Sequence, residues 1–304
     1  MANSKDAPRI LCAGIIVLDE VFRVAQMPPV DTKTDASDYA SVGGGCASNA
    51  AIAAARLGGR VSFAGPLGED DAAARVLAIL AREGVDTAGC VKLADGRTSV
   101  SSILVDDSGA RTIATYADPK LLALGPGDVS ALVAKADGVL IDNRRPAFVG
   151  PIADAARKRG IPLVLDADKA TTLDDPLLRA ATHVILSGES LRGTLPGETA
   201  LNAVARIQSH TGGFVALTDG ANDVLWTNGG AVQAMPAFKV KAVDTLGAGD
   251  VFHGAFTLAL LEGREIAAAL RFAAAASALK VMRFGGSSTA PTRAEVEAFL
   301  AKAG

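Results

Sequence analysis

The chain alternates short apolar runs with longer alanine-rich segments, and this order limits its fold more than any other feature. A strand without polar alternation has both faces covered, as in a parallel sheet. We therefore predict an α/β fold with a doubly wound, mostly parallel sheet and helices on both faces. The predicted central strands are 9–15, 60–65, 138–142, 162–168, 182–187 and 214–220, and the clearest helices are 46–58 and 70–84.

Two other stretches alternate polar and apolar residues, which is typical of strands with one solvent-exposed face. They are EVFRVAQ (20–26) with SDYASVG (37–43), and TSVSSILVDDSG (98–109) with ARTIATYA (110–117). We predict a small antiparallel sheet beside the main one, serving as a lid or a dimer surface, within one domain covering residues 1–304. An ordinary edge hairpin is the alternative.

Composition argues against several classes of function. Thirty basic residues against 33 acidic give a net charge of −3, and aromatic residues make up 4% of the chain, so nucleic-acid binding is not expected. No apolar run reaches about 18 residues, so no membrane span is expected. The N-terminus MANSKDAPR does not read as a signal peptide. Three widely spaced cysteines (Cys12, Cys46 and Cys90) suit free thiols, and together these features indicate a cytoplasmic protein.

The segment DTLGAGDVFHGAFTLALLEG (244–263) predicts an anion site at the start of a helix. The amides of Gly247, Ala248 and Gly249 would point outward at the positive end of the helix dipole. Asp250 follows in the first turn, where a carboxylate would repel a phosphate unless it has another task, such as general base. The alternative is that Asp250 caps the helix and the glycines only turn the chain.

A second glycine-rich helix entry lies at 42–58, VGGGCASNAAIAAARLG. Asn49 falls in its first turn, where its amide could offer both a donor and an acceptor to hydroxyl groups. The alternative is close packing of the helix with Asn49 as a cap. Asp19 follows the first predicted strand, at the end where open α/β sheets bind ligands.

Together these residues resemble the ribokinase-like (PfkB) carbohydrate kinase family. The resemblance rests on Gly44-Gly45-x-x-x-Asn49 and on Asp-Thr-x-Gly-Ala-Gly-Asp from Asp244 to Asp250, in that order along the chain. It implies a Rossmann-like core with a β-lid, ATP and Mg²⁺ as co-substrates, and phosphorylation of a primary hydroxyl. It also implies a soluble homodimer formed through the lid.

The resemblance implies a role for each matched residue. Asp250 would be the base, and Gly247, Ala248 and Gly249 would hold the transferred phosphoryl group. The sugar hydroxyls would be held by Asp19, Gly44, Gly45 and Asn49. Thr218 and Gly220 would begin the nucleotide-binding turn, and Gly247 and Gly249 would also bind the nucleotide.

Three positions depart from the family pattern. Asp223 stands where the nucleotide turn usually has a second glycine. The magnesium-linked Asn-x-x-Glu motif falls at 187–190, which reads Ser-Gly-Glu-Ser, so either Glu189 substitutes for it or water completes the metal shell. Residues 283–291 only loosely follow a segment that binds a monovalent cation in some members, and no such cation is assigned.

Within the family, the chain looks closest to the sulfofructose kinase and ketohexokinase branch. Arg144 follows the strand in LIDNRRPAF (140–148), and Lys33 lies in PPVDTK. Two cations facing the sugar cavity would suit a sulfonate or phosphate group; the alternative is that both are surface charges. Thr115 stands where that branch has an asparagine, which weakens the assignment.

The function predicted from the sequence is therefore an ATP-dependent kinase for a ketohexose, either 6-deoxy-6-sulfofructose or a fructose-like sugar. A ribokinase or nucleoside kinase on the same scaffold is the first alternative. A non-catalytic sugar-binding regulator is the second, although a pure binder has no need of the base Asp250. A dinucleotide oxidoreductase is disfavoured because the glycines at 43–45 do not follow the G-x-G-x-x-G pattern.

Overall fold

The computed structural model describes residues 7–303. Its strands are β1 (Arg9–Ala13), β2 (Val17–Arg23), β3 (Asp38–Gly44), β4 (Arg60–Ala64), β5 (Pro66–Gly68), β6 (Val91–Leu93), β7 (Ser99–Val105), β8 (Arg111–Tyr116), β9 (Gly138–Asp142), β10 (Leu163–Ala167), β11 (His183–Ser187), β12 (Phe214–Thr218), β13 (Val224–Thr227) and β14 (Gln233–Met235). Its helices are α1 (Cys46–Arg56), α2 (Asp71–Arg82), α3 (Pro119–Leu122), α4 (Val129–Ala134), α5 (Pro146–Arg159), α6 (Pro176–Ala180), α7 (Gly188–Thr194), α8 (Ala200–Thr211), α9 (Ala248–Leu261), α10 (Ile266–Val281) and α11 (Arg293–Ala303), with a 3-10 turn at Gly286–Thr289.

The main sheet has eight strands in the order β14-β13-β12-β11-β10-β9-β1-β4. The six strands from β12 to β4 run parallel, and β13 and β14 add an antiparallel edge. Each run predicted as a central strand forms one of the parallel strands. The prediction of a mostly parallel sheet is therefore confirmed.

Both faces of this sheet are covered, as the continuous apolar runs require. In β1, Ile10 and Cys12 point into a core shared with α1, α9 and α10, while Leu11 and Ala13 point into a second core shared with α5 and α8. Because successive residues of a strand face opposite sides, a strand between two helical layers must be apolar at every position.

The order of the strands creates a crevice at one edge of the sheet. β1 lies between β4 and β9. The later strands are therefore added on both sides of β1, with β4 on one side and β9 to β14 on the other. Ligands of open α/β sheets bind outside the carboxyl ends of the strands at such a switch point. The ends of β1, β9, β10, β11 and β12 and the first turns of α1 and α9 all lie at this edge.

The second sheet has four strands in the order β3-β2-β7-β8. β2 with β3 and β7 with β8 are antiparallel hairpins, as predicted, but the central pair β2–β7 is parallel. The chain passes through α1, β4 and α2 between β2 and β7, so a tight turn does not join them. On one face Val21 and Ile103 are buried, whereas every residue of β8 is exposed.

Within residues 7–303, no helix is both long enough and apolar enough to cross a bilayer.

Candidate active site

The predicted anion site lies at the first turn of α9. Gly247 immediately precedes the helix and has a φ of 75°, a conformation that favours glycine. The amides at the start of a helix have no partner four residues back, so they point toward the crevice at the positive end of the dipole. The amide of Ala248 is partly used, since it donates to Thr245 O at 3.3 Å. The available donors are therefore chiefly those of Gly247 and Gly249.

The two glycines of this turn differ in what requires them. Gly247 has a positive φ, whereas Gly249 does not. A Cβ built at Gly249 would meet only His253 Cε1, at 4.0 Å. The fold itself therefore leaves room for a side chain at Gly249, and its absence keeps the exposed turn open to a ligand.

Asp250 and Asn49 are joined directly across α9 and α1. Asn49 Nδ2 donates to Asp250 Oδ2 at 2.7 Å. Neither residue caps its helix, because the N-cap positions are Gly247 and Gly45, without side-chain capping bonds. Asn49 Oδ1 is buried and has no hydrogen-bond partner among the described residues. The amide therefore fixes the carboxylate with one end and offers an acceptor with the other.

Burial raises the pKa of Asp250 to about 7. The hydrogen bond from Asn49 acts in the opposite direction, and the negative charges of Asp168 and Asp142 raise it further. A carboxylate that titrates near neutrality can accept a proton and release it at working pH, as a general base requires.

Asp19 follows β1, as predicted, and lies within β2 of the small sheet. It is buried, and it lies against Gly44, where a Cβ would come 2.1 Å from Asp19 Oδ2. Burial raises the pKa of Asp19 to about 6, although Ser101 on β7 opposes the shift. Gly44 thus makes room for a carboxylate that the small sheet holds at the crevice.

Gly45 carries the chain from β3 into α1 across the end of β1. Its φ is 92°, and a Cβ there would lie 2.5 Å from Ile15 O. The adjacent turn is fixed by Asp142, which accepts from the amides of Ile15 at 2.7 Å and Arg144 at 2.8 Å. Asp142 is fully buried. The sequence did not predict a role for Asp142, since the residues predicted from 140–148 are arginines.

A second group missed from the sequence lies beside Asp250. Asp166 is opposite Asp142 in the register of β10 and β9, and its Oδ2 lies 3.2 Å from His253 Nδ1. The ligand atoms of Cys46, Asp166 and Asp250 lie within 4.8 Å of one another. Burial, followed by neighbouring carboxylates, holds the pKa of Asp166 well above its usual range. Two acidic residues ending the run PLVLDAD (162–168) were the available signal.

Arg144 does not stand as an unpaired cation. Its Nε and Nη2 both bind Asp168 Oδ2, and its side chain is 38% exposed. The neighbouring Arg145 is buried and donates to Ser99 Oγ at 3.1 Å. Lys33 is exposed in the segment between β2 and β3. Of these three cations, Arg144 is the one that forms an ion pair with a carboxylate whose charge acts on Asp250.

The predicted nucleotide turn follows β12. Thr218 Oγ1 lies 3.5 Å from Leu186 O, and Gly220 has a φ of 60°. Asp223 is exposed in the same turn, so its side chain does not fill the space beside it. A cavity of about 220 Å³ lies at the end of β12 and is lined in part by Gly188, Leu191, Arg192, Leu217 and Asp219.

The segment 187–190 provides few magnesium ligands. Ser187 Oγ accepts from the amide of Ser190 and so caps α7. Ser190 Oγ is buried without a partner among the described residues, and Glu189 is exposed. Mg²⁺ keeps several waters and takes one or two carboxylates plus phosphate oxygens. Glu189 fits such a water-rich shell.

Comparison with known proteins agrees with this arrangement. The profile of the family described as "pfkB family carbohydrate kinase" matches residues 7–293. The ribokinase of Haemophilus influenzae is 31% identical over 296 residues, which cover 94% of this chain and 96% of that protein. The ATP-dependent ribose-1-phosphate kinase of Halopiger xanaduensis is 32% identical over 300 residues, with 97% and 98% covered.

A solved structure is also closely similar. The crystal structure of a protein assigned as a ribokinase in Agrobacterium tumefaciens has 35% sequence identity and a TM-score of 0.94. The match covers 97% of this chain and 98% of that one. These three relatives carry ribose-related names, so they do not support the predicted sulfofructose and ketohexokinase branch.

Proposed function

The chain belongs to the pfkB family of carbohydrate kinases and is an ATP-dependent sugar phosphotransferase, and we propose that its acceptor is the primary hydroxyl of a ribose-type sugar. The observation that carries the proposal is the pair Asn49–Asp250 at the open, glycine-lined start of α9. A base fixed beside an anion site is the arrangement that transfer of a phosphoryl group to a hydroxyl needs.

In the proposed mechanism, Asp250 accepts the proton of the attacking hydroxyl. Asn49 holds the carboxylate in place and leaves Oδ1 to accept from a second sugar hydroxyl. The amides of Gly247 and Gly249 stabilise the negative charge of the transferred group. Mg²⁺, brought with ATP, would neutralise charge on the phosphate oxygens, with Glu189 as the carboxylate placed to support its water shell.

The small sheet, formed by β3, β2, β7 and β8, would act as the lid over the sugar. It supplies Asp19 to the crevice and contacts the anion site, since Arg111 on β8 hydrogen-bonds Thr245 Oγ1. Closing such a sheet over the sugar excludes water, which suppresses hydrolysis of ATP.

A sugar with an anionic group is the second candidate, and Arg144 favours it. Asp168 binds Nε and Nη2 of the guanidinium, so the Nη1 donors are not used by that pair. The Halopiger relative is named for a phosphorylated sugar. Against 6-deoxy-6-sulfofructose stands Thr115, whose hydroxyl is engaged by Ser101 Oγ at 2.9 Å.

The test is a substrate panel read by release of ADP, with ribose, fructose, ribose 1-phosphate and 6-deoxy-6-sulfofructose. We expect ribose to give the highest kcat/KM, and Asp250→Asn to lower kcat for every sugar by about 10²-fold or more. A higher kcat/KM for either anionic sugar would move the assignment to the second candidate. Sugar binding without turnover of any sugar would support a non-catalytic binder instead.

We also propose that the lid is a dimer surface. β8 is an edge strand whose six residues are all exposed, and Ile113, Tyr116 and Tyr39 are among the large exposed apolar side chains of this sheet. An open edge strand with apolar side chains favours pairing with another strand. Sedimentation should give a dimer, and Ile113→Asp should shift it to monomer; a wild-type monomer would contradict the proposal.

A further inference from the structure

Lys280 is fully buried, and its charge is met inside the protein. Its Nζ donates to the backbone oxygen of Asp244 at 2.8 Å and lies 3.0 Å from Asp244 Oδ2. Both side chains are 0% exposed. Taking two charges out of water costs desolvation free energy even when they pair. Apolar side chains packed at these two positions would avoid that cost.

Asp244 uses its carboxylate to hold two separate turns. Oδ1 accepts from the amide of Leu246 at 2.8 Å, in the turn that leads to Gly247. Oδ2 accepts from the amides of Gly285 at 3.1 Å and Gly286 at 3.0 Å, after α10. One carboxylate therefore joins the anion turn to the segment after α10, and Lys280 compensates its charge.

The segment held in this way reaches the anion site. Ser287 N lies 3.8 Å from the position that a Cβ of Gly247 would occupy. Ser287 Oγ donates to Gly43 O at 2.8 Å, which fixes the segment to β3 near the sugar end of the crevice. A displacement of Asp244 would thus move the anion turn on one side and Ser287 on the other.

We propose that Lys280 is a positioning residue for phosphoryl transfer: its ammonium acts as a built-in cation that holds Asp244, and through it the anion turn 247–249. The inference rests on the proposed function of that turn. It also implies that the enzyme needs no external monovalent cation at this place, because the ammonium already occupies the space between the carboxylate and the carbonyl of Asp244.

The first experiment compares Lys280→Met with Arg293→Met. Arg293 binds Glu262 and donates to Leu57 O, at the opposite ends of α9 and α1 from the site, so it is a matched control for loss of an ion pair. We expect Lys280→Met to lower kcat by about 10²-fold with sugar KM nearly unchanged, since a 1 Å misplacement can cost that much. Arg293→Met should lower Tm and keep kcat within about twofold.

A second readout does not depend on turnover. Calorimetry should show ATP binding weakened about tenfold or more in Lys280→Met and unchanged in Arg293→Met, because the anion turn is also a phosphate contact. Failure of the proposed function would appear as wild-type protein that turns over no sugar, whereas failure of this inference would appear as Lys280→Met that matches wild type in both kcat and ATP affinity.

Chemical rescue separates positioning from mere stability. In Lys280→Ala, n-propylammonium should restore kcat at least tenfold, while n-propanol should not; K⁺ should leave wild type unchanged within twofold. If Lys280→Met does not fold, the double variant Asp244→Asn/Lys280→Met, which removes both buried charges, is used in its place for the same measurements. Normal kcat and ATP affinity in that folded variant, or equal rescue by propanol, would overturn the inference.

Discussion

Asn49 Nδ2 donates a 2.7 Å hydrogen bond to Asp250 Oδ2, and this bond ties the first turn of α1 to the first turn of α9. The two glycine-rich helix entries recognised in the sequence therefore form one site. A shift of either helix would change the direction of the Asp250 carboxylate, so the orientation of the proposed base depends on the packing of α1 against α9.

Asp250→Asn should keep the fold and the affinity for ATP but lose turnover. The substituted amide has the same shape and cannot accept the proton, so kcat should fall about 10²–10⁴-fold. Turnover by ADP release and ATP affinity by calorimetry check this. Turnover within about threefold of wild type would remove Asp250 from the catalytic role.

The same substitution should stabilise the protein at alkaline pH. Because the pKa of Asp250 is raised to about 7 in the folded state, against about 3.9 unfolded, its contribution to stability is full below about pH 4 and is lost as pH rises through 7. At pH 8 wild type carries a partly buried ionised carboxylate that Asp250→Asn lacks. The free energy of unfolding of Asp250→Asn should exceed that of wild type by about 1–2 kcal/mol at pH 8, with a smaller difference at pH 5. Equal differences at both pH values would contradict the raised pKa.

Gly249→Ala should separate folding from catalysis. A Cβ at Gly249 meets only His253 Cε1 at 4.0 Å, and alanine favours helices, so Tm should stay level or rise. The methyl group would stand where the phosphate approaches, and kcat/KM should fall about tenfold or more. Gly247→Ala is the contrasting variant, since its φ of 75° predicts a lower Tm as well. An active Gly249→Ala enzyme would place the phosphoryl group elsewhere.

The pH profile should respond to the charges around the base. The acid limb of kcat/KM should titrate near pH 7 in wild type. Asp168→Asn removes a negative charge that raises the pKa of Asp250, so its limb should move to lower pH by about half a unit or more. Asn49→Leu removes a hydrogen bond that lowers the pKa, so its limb should move the other way. Coincident profiles for all three enzymes would mean that another group titrates.

Local patterns were enough to predict the parallel strands and the two glycine-rich helix entries that carry Asn49 and Asp250. The placement of Asp166 beside Asp142 and His253 was not predictable in this way, because it depends on which strands are neighbours. Asp166 lies beside Asp142 only because β10 pairs with β9 in that register. The parallel pairing of β2 with β7 is equally non-local, since alternation within each strand carries no information about its partner.

Arg144→Met tests which kind of sugar the site is built for. Arg144 is bound to Asp168, so its removal leaves that carboxylate uncompensated near Asp250 and should raise the pKa of the base. This effect acts on every substrate alike. With ribose as the acceptor, we therefore expect kcat/KM at pH 7 to fall a fewfold for ribose and for 6-deoxy-6-sulfofructose, with their ratio unchanged within about threefold. Lys33→Met, at an exposed position, should leave both values unchanged.

If Arg144 instead binds an anionic group, losing that contact should lower kcat/KM for the anionic sugar about tenfold or more relative to ribose. A selective loss of that size would assign the site to an anionic sugar and make Arg144 its specificity residue.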